Sequence, residues 1–381
     1  MQIGPITVGT PVVLAPMAGI TNAAYRQLCR EQAELGTRGG VRPAGLFVCE
    51  MITSRGIVEG DPKTASMLQF DPGETVRSVQ LYGVDPVIMG RATAILCEQY
   101  AVSHVDLNFG CPVPKVTRKG GGAVLPYKRD RLRAILRATV NAAAPSGVPV
   151  TMKTRIGIDA EHQTYLDAGR IAEESGCAAI ALHGRTAEQA YAGHADWDTI
   201  AALKASVGIP VLGNGDIWEA SDAVRMVEHT GVDGVVVGRG CLGRPWLFRD
   251  LAAAFSGSGR VELPDLRSVA RTVRRHGELL AGLQGEQRGC ADLRKHMAWY
   301  FKGFPVGGDL RRSLAMVSSL DELAELLAQL PDAPFPTAEL GRPRGRQGSP
   351  RGRVAMPDGW LDDTSGSELD LGDAEIGISG G

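Results

Sequence analysis

Eight short apolar runs recur along the first 238 residues, and most are followed by a stretch with helical patterning. They occupy residues 12–17, 46–51, 78–82, 104–108, 148–153, 178–183, 209–214 and 234–238. Strands that alternate with helices form parallel sheets, because a parallel connection needs a long crossover. Eight such units in about 250 residues are typical of a closed (β/α)8 TIM barrel, which we therefore predict. A doubly wound open sheet is the alternative, but no Gly-x-Gly-x-x-Gly segment follows the first run.

The alternation of strand and helix patterns stops near Trp246, and the composition changes again at Pro331. We predict three regions: a barrel domain over residues 1–248, a smaller all-helical domain over 249–330, and a disordered tail over 331–381. The tail is rich in Pro, Gly, Arg, Ser and Asp, a composition that cannot bury a core.

Polar or small residues stand at or just past the ends of these runs. In a TIM barrel the carboxyl ends of all strands form one face, and active sites lie on that face. We therefore expect one site to collect them. The residues are Met17, Gln80, Asn108, Lys153, His183, Asn214 and Gly238.

Cys111 stands between Gly110 and Pro112, directly after the fourth run. A cysteine at the carboxyl end of a barrel strand faces the cleft, where its thiol can exchange a proton with a substrate. Free cysteines are usually buried and structural, which is the alternative. The segment that follows, residues 115–122, is basic and rich in glycine, so it makes a poor core. We favour the functional interpretation.

Two loops suggest a phosphate site. Asn214-Gly215-Asp216 follows the seventh run, and Gly238-Arg239 follows the eighth. Many barrels bind a phosphate at this pair of loops, through backbone N–H groups and a guanidinium. Either loop alone is weak evidence, but together they indicate a phosphorylated cofactor.

Lys153 ends the fifth run and His183 the sixth. A cation at a barrel mouth can stabilise negative charge on a reduced flavin, whereas a solvated salt bridge is the structural alternative. A single histidine is more often structural than a ligand, but His183 shares the predicted mouth with Lys153. The small residues 15–19 allow a flat ring to approach the backbone closely, although an ordinary strand-to-helix turn explains them equally well.

The composition, 44% hydrophobic and 22% charged with a net charge of −2, is that of a soluble globular protein. We expect no signal peptide, because residues 1–9 have neither a basic flank nor an apolar core, and no apolar run is long enough to cross a bilayer. Seven cysteines without paired spacing predict neither disulfides nor a metal site, and they suit a cytoplasmic location. Residues 271–312 hold nine Lys/Arg against four Asp/Glu, an excess suited to phosphate contacts. No obligate protein partner is indicated.

The ordered motifs of residues 1–325 resemble the tRNA-dihydrouridine synthase family and, within it, the bacterial B-type branch. The matching segments are 15–21, 50–51, 108–112, 153–155, 183–186, 214–217, 238–239 and 294–300. The resemblance implies flavin mononucleotide (FMN) in the barrel mouth and tRNA clamped between the barrel and the helical domain. An insertion at 36–44 and the tail beyond residue 330 depart from the family pattern.

The resemblance assigns two groups of residues to the flavin. Those that line or face the isoalloxazine ring are Pro16, Met17, Ala18, Gln80, Lys153 and His183. Those that hold the ribityl chain and phosphate are Asn214, Gly215, Asp216, Gly238 and Arg239.

The resemblance also assigns substrate residues. Cys111 would be the proton donor, Asn108 and Arg185 would contact the target uracil, and Arg294 and Lys295 would contact the tRNA. The arginines of the tail are further candidates for RNA contacts, although a solvated tail is the simpler interpretation.

The implied reaction is reduction of a tRNA uridine to 5,6-dihydrouridine, with NADPH reducing the flavin. Hydride would pass from N5 of FMN to C6 of the uracil, and Cys111 would protonate C5. An ordinary thiol has a pKa of about 8.5 and is protonated at neutral pH, as an acid must be, although nearby cations lower that pKa. Two alternatives remain: an FMN-dependent barrel reductase of a small molecule, and a flavin-containing RNA-binding protein without turnover.

Overall fold

A computed structural model describes residues 1–37, 43–257, 262–348 and 352–366. Within these residues, eight parallel strands form a barrel, preceded by a short antiparallel hairpin of Gln2–Ile3 and Ile6–Thr7. The barrel strands are β1 (Val12–Leu14), β2 (Leu46–Phe47, resumed at Ile52–Thr53), β3 (Ser78–Tyr82), β4 (His104–Phe109), β5 (Val150–Arg155), β6 (Ala179–His183), β7 (Val211–Asn214) and β8 (Gly234–Val237).

The strands pair in chain order, and the sheet closes on itself. β8 pairs with β1 and β1 with β2, so the first and last units meet. On its other side, β2 joins β3 through a bridge between Val48 and Ser78 and through the pairing of Ile52 with Leu81. The observed strands coincide with the eight predicted runs, and the predicted TIM barrel followed by helices is confirmed.

Side chains alternate between two environments along the strands. On β4, Leu107 packs in the core between strands and helices, whereas His104 and Asp106 bond to side chains inside the barrel. At the amino-terminal end the interior is apolar, and the hairpin plugs it with the fully buried Ile3. The sequence analysis did not predict this plug, because each of its strands has only two residues.

Helices follow the strands and cover the barrel. Asp85 starts one of them by accepting hydrogen bonds from the backbone of Val87 and Ile88, with Pro86 in the first turn. The helices are α1 (Ala23–Gly36), α2 (Ser54–Val58), α3 (Pro62–Met67), α4 (Pro86–Gln99), α5 (Pro114–Thr117), α6 (Arg129–Ala143), α7 (Tyr165–Glu174), α8 (Trp197–Ser206), α9 (Ala220–Thr230) and α10 (Leu247–Phe255). Residues 38–42, most of the predicted insertion at 36–44, lie outside the described residues.

A helical domain packs on the barrel beside its mouth. It contains α11 (Leu266–Gln284), α12 (Glu286–Tyr300), α13 (Gly308–Leu314) and α14 (Leu320–Ala328). Trp246 of the barrel packs into the hydrophobic core of this domain. An ion pair of 2.7 Å between Arg275 on α11 and Glu31 on α1 also joins the two domains. In the part of the chain that the structure describes, no helix is both long and apolar enough to span a membrane.

The domain boundaries differ from the predicted ones. The boundary proposed at 248/249 cuts through α10, whose Leu251 is buried in the barrel core, so the helical domain begins at Leu266 instead. At its far end the helical core includes Ala333 and Phe335, which lie beyond the predicted limit of residue 330.

The disorder predicted for residues 331–381 does not hold for 331–348 and 352–366, which are packed on the two domains. Beyond Phe335 we call the described part of this segment, 337–348 and 352–366, the C-terminal strap. Its first anchor is Arg344, whose Nη1 donates to the carbonyls of Leu242 and Trp299 at 3.3 and 2.9 Å.

The second anchor of the strap is Trp360, which lies against the loop that follows β4. Its side chain is buried with Val354, and its Nε1 donates to the Val124 carbonyl at 3.1 Å. The backbone N–H of Arg129 donates to the Thr364 carbonyl at 2.7 Å. Composition indicated disorder because the strap has no core of its own; its few apolar side chains enter a core that the barrel supplies.

We expect Trp360→Ala to undock the second half of the strap. Loss of a large buried side chain costs about 3–5 kcal/mol, so trypsin cleavage after the exposed Arg353 should accelerate by roughly 100-fold or more. Asp358→Ala, at an exposed position of the same segment, is the control and should leave the rate near that of the unaltered protein. Rapid cleavage of the unaltered protein at Arg353 would contradict the packing described.

Candidate active site

A cavity of about 420 Å³ opens at the carboxyl ends of the strands. Strand register brings its polar residues together, because Asn108 on β4 is level with Lys153 on β5. His183 on β6 is level with both Arg155 on β5 and Asn214 on β7. The floor is apolar, with Ala15, Pro16, Met17 and Val236.

A chain of hydrogen bonds inside the barrel ends on the carboxylate of Asp106. From one side the Ser78 hydroxyl bonds Nδ1 of His104 at 2.7 Å, Nε2 of His104 bonds the Thr151 hydroxyl at 2.9 Å, and that hydroxyl donates to Asp106 at 2.7 Å. From the other side Gln80 Nε2 donates to Asp106 at 2.7 Å. Because a carboxylate only accepts, it fixes the direction of every bond, and His104 carries its proton on Nε2.

Burial shifts the pKa values of two groups in this series of hydrogen bonds. It lowers the pKa of His104 to about 4, so the ring is neutral as the bonds require. It also raises the pKa of Asp106, although the bonds from Thr151 and Gln80 and the charge of Lys153 act against that rise.

The same chain continues upward to Cys111. Asn108 Nδ2 donates to Gln80 Oε1 at 2.8 Å, and Asn108 Oδ1 accepts the backbone N–H groups of Gly110 and Cys111 at 3.1 and 3.0 Å. Arg155 Nε donates to the Gly110 carbonyl at 2.8 Å from the neighbouring strand. The half-buried Cys111 is thus held at the cavity wall by its backbone.

The glycine-rich stretch after Cys111 is required by close packing. Gly122 has a φ of +58°. The loop folds back so closely here that a Cβ at this position would lie 2.4 Å from the Cys111 carbonyl oxygen, which leaves no room for a side chain. Ala123 N–H donates to that same oxygen at 3.0 Å. These contacts fix the loop beside Cys111.

The loops after β7 and β8 form the opposite end of the cavity. Gly215 has a φ of +127°, which disfavours any other residue, and Gly238 lines the cavity with only the Ala15 side chain near its Cβ position. The Arg239 guanidinium lies over the rings of Tyr191 and Trp218, at 4.5 and 5.0 Å from their centroids. Such stacking orients a cation while leaving its edge available.

Cations dominate the electrostatics of the cavity. Burial, together with Arg155, lowers the pKa of Lys153 to about 8. Burial also holds the pKa of His183 well below its usual range, and the positive charges of Arg155 and Lys153 add to this effect. Burial also lowers the pKa of Arg239, with Arg185 adding to the effect. Because several cations lie close together around a neutral histidine, the cavity favours an anionic ligand.

Most of the predicted site residues meet in this cavity. Those that line it are Pro16, Met17, Ala18, Gln80, Asn108, Cys111, Lys153, His183, Asn214, Gly215, Asp216, Gly238 and Arg239. Gln80 and Asn108 use part of their amides on each other, so each keeps limited hydrogen-bonding capacity toward a ligand.

Three predicted residues do not line the cavity. Arg185 is buried, and its guanidinium bonds Asp216 at 2.8 Å and two carbonyls of its own loop, a structural role that differs from the predicted contact with uracil. Arg294 donates from Nε to the Val317 carbonyl at 2.8 Å, within the helical domain. Lys295 contacts the Gly19 carbonyl and therefore lies where the two domains meet.

Other residues of the cavity were not predicted. Arg155 belongs to the matching segment 153–155, but the sequence analysis gave it no role. Tyr191 and Trp218 follow β6 and β7 in loops whose path the sequence does not reveal. Trp299 comes from α12 and Arg346 from the strap. Of these, only Arg155 could have been found, from the alternation that also places Lys153 on the inner face of β5.

Comparison with known proteins gives one family. The family model described as Dihydrouridine synthase (Dus) matches residues 13–334. The protein named "Probable tRNA-dihydrouridine synthase" of Mycobacterium tuberculosis (strain CDC 1551 / Oshkosh) is 54% identical over 384 residues, which cover 100% of this chain and 97% of that protein. "tRNA-dihydrouridine synthase B" of Shewanella oneidensis is 37% identical over 300 residues, covering 79% of this chain and 89% of that one.

A solved structure supports the fold alone. Histamine dehydrogenase from Rhizobium sp. 4-9 superposes with a TM-score of 0.51 at 12% identity, over 87% of this chain and 64% of that longer one, less than two thirds of its length. At this identity the likeness extends to the barrel architecture and not to the chemistry.

Asp106→Asn should disturb both branches of the hydrogen-bonded chain. An amide offers a donor where the Thr151 hydroxyl or Gln80 amide also donates, so we expect the free energy of unfolding to fall by about 1–3 kcal/mol. Cys111 should also react faster with a thiol reagent, measured in a Cys97→Ser background because Cys97 is the other half-buried cysteine.

Thr151→Val is the matched control for that prediction. It removes the hydroxyl from one branch but leaves the bonds from Gln80 through Asn108 to the Cys111 backbone. It should destabilise the protein without changing the reactivity of Cys111. Equal reactivity of Cys111 in the two variants would contradict the role given to Asp106.

Proposed function

The chain belongs to the dihydrouridine synthase family, and from this premise we propose that it is an oxidoreductase that reduces a uridine of tRNA to 5,6-dihydrouridine. The observation that carries the proposal is the placement of Cys111 in one cavity with Lys153, His183 and Arg239. The thiol can supply a proton to the substrate, the ammonium can stabilise a reduced flavin, and the guanidinium can bind a phosphate.

The cavity has the size and chemistry for FMN. Its volume lies within the roughly 300–1,000 Å³ of cofactor sites, and its floor is apolar. Gly238 leaves the backbone of the loop after β8 open toward the cavity, and Arg239 stands beside it. When bound, FMN would supply hydride for C6 of the uracil after reduction by NADPH.

Lys153 would face the polar edge of the flavin ring. Burial lowers its pKa only to about 8, so the side chain is mainly charged at neutral pH. An ammonium at this place stabilises negative charge on a reduced ring. Gln80, held by Asp106, and neutral His183 would complete the polar wall around the same edge.

Cys111 would donate the proton in the second half of the reaction. As hydride arrives at C6, electron density builds at C5, and the proton leaves Sγ of Cys111 for C5, which completes the saturated C5–C6 bond. The thiolate that remains regains its proton from water. Lys153 and Arg155 lie close enough to interact electrostatically with this sulfur, which stabilises the thiolate.

The tRNA would lie between the barrel and the helical domain. A uracil must leave its stack to enter a barrel mouth, so the domain beside the mouth would hold the RNA body, mainly through phosphates. Lys295 and Trp299 stand at this junction, whereas Arg294 turns one guanidinium nitrogen to the Val317 carbonyl. The seven cysteines, all of them within the described residues, form no disulfide, which suits the cytoplasm, where tRNA is modified.

The cofactor assignment can be tested on the purified protein. We expect it to be yellow and to release FMN, not FAD, because the loops after β7 and β8 offer one phosphate end. Arg239→Ala should lower the flavin content. Chromatography of the released cofactor decides the question, and FAD, or no flavin after reconstitution, would contradict the assignment.

The sharpest test of function concerns Cys111→Ala. Because only protonation of C5 is removed, the variant should bind flavin and accept electrons from NADPH as the unaltered enzyme does. Formation of dihydrouridine should slow by roughly 10²–10⁴-fold. The measurement is single-turnover reoxidation of the pre-reduced enzyme by tRNA.

Cys97→Ala is the matched control, since Cys97 is also half-buried but lies on α4, outside the cavity. It should reoxidise at the normal rate. Normal reoxidation by Cys111→Ala would exclude the thiol as proton donor, and reoxidation that needs no tRNA would favour a small-molecule reductase. Loss of flavin from Cys111→Ala would indicate a structural role.

A further inference from the structure

The two described parts of the C-terminal strap lie at opposite walls of the cavity. Its first anchor, at Arg344, is beside the loop after β8, and its second, at Trp360, is beside the loop that carries Cys111. The family model ends at residue 334, before the strap begins. Any contribution of the strap to the site is therefore an addition to what the family model describes.

Arg346 is the strap residue that lines the cavity. Two positions before it, the Arg344 side chain is locked between the Leu242 and Trp299 carbonyls. Gly345 has a φ of +68°, and a Cβ there would lie 2.6 Å from the Leu242 side chain, so the chain turns tightly at this point. The turn delivers Arg346 to the cavity with its backbone already fixed.

The backbone carbonyl of Arg346 also orients Arg239. It accepts a hydrogen bond of 2.7 Å from Nη1 of Arg239, whose guanidinium lies over the rings of Tyr191 and Trp218. The other terminal nitrogen is 3.9 Å from Asp216, a carboxylate that already bonds Arg185. The Asp216 carboxylate at this end of the cavity is therefore already bonded to Arg185, and Arg239 meets Arg346 through the Arg346 backbone carbonyl.

We propose that the strap supplies Arg346 as a second guanidinium, beside Arg239, for a phosphate monoester, and that this phosphate is the terminal group of FMN. The proposal rests on the proposed function. A dianionic phosphate matches paired guanidinium groups in charge, and two of its oxygens can accept the parallel N–H bonds of one planar guanidinium. It would add negative charge beside Arg239, whose neighbouring carboxylate, Asp216, already bonds Arg185.

The test compares FMN with riboflavin, which lacks only the phosphate. Apoprotein of the full chain would be titrated with each flavin by fluorescence quenching. Arg346→Ala should weaken FMN binding by roughly 10- to 100-fold, the value of a hydrogen bond to a charged group. Riboflavin affinity should not change, and Arg346→Lys should recover part of the loss.

Arg342→Ala is the matched control. Arg342 is an exposed strap arginine that does not line the cavity and is 4.0 Å from Glu339. It should bind both flavins normally. Arg346→Ala keeps the backbone carbonyl that Arg239 uses, and unchanged trypsin resistance at Arg353 would verify that its strap is still docked.

Other outcomes would overturn the proposal and identify a different role. Equal losses for FMN and riboflavin would mean that Arg346 shapes the cavity without binding phosphate. Unchanged FMN affinity with weaker tRNA binding would assign the cation to an RNA phosphate, and a raised KM for NADPH alone would assign it to the reductant. If the unaltered protein binds no FMN, the proposed function itself fails, whatever Arg346 does.

Discussion

The carboxylate of Asp106 is the interaction on which the rest of the site depends. Removing a charged group from water is costly, and hydrogen bonds from Thr151 and Gln80 offset that cost inside the barrel. Because Asp106 can only accept, the amides of Gln80 and Asn108 cannot rotate without losing a bond. The position of the Cys111 backbone therefore depends on Asp106, which lies deeper in the barrel on the strand that leads to Cys111.

Arg155 extends this constraint across the mouth. Its Nε bonds the Gly110 carbonyl next to Cys111, and its Nη1 bonds the Thr186 and Ala190 carbonyls at 3.1 and 2.9 Å in the loop after β6. The thiol side and the cationic side of the cavity are thus joined by one guanidinium. Burial lowers its pKa to about 10, which still leaves it charged at neutral pH. Arg155 therefore fixes the position of one wall of the cavity relative to the other.

The sequence predicted the barrel because each strand is buried and each run ends in a turn, so the eight runs were visible without tertiary information. It also placed Cys111 and Lys153 on one face, since strand ends of a barrel converge. It could not give the direction of Arg185, because a motif fixes a residue's position along a strand and not the partner of its side chain. The prediction of disorder for the strap failed for a related reason: Trp360 is buried against residues of the barrel such as Val124, which is 236 positions away in the sequence.

The strap shows how a segment with little apolar content can be ordered. Its anchors add to surfaces that the two domains have already built, so each contact orders only a few residues. Arg344 bonds Leu242 of the barrel and Trp299 of the helical domain, which makes the strap part of the domain interface. An anion beside Arg239 would reduce the repulsion among the nearby guanidinium groups and would stabilise the docked strap by mass action. If Arg346 binds the cofactor phosphate as proposed, cofactor binding and the docking of the strap between the two domains would be coupled through this contact.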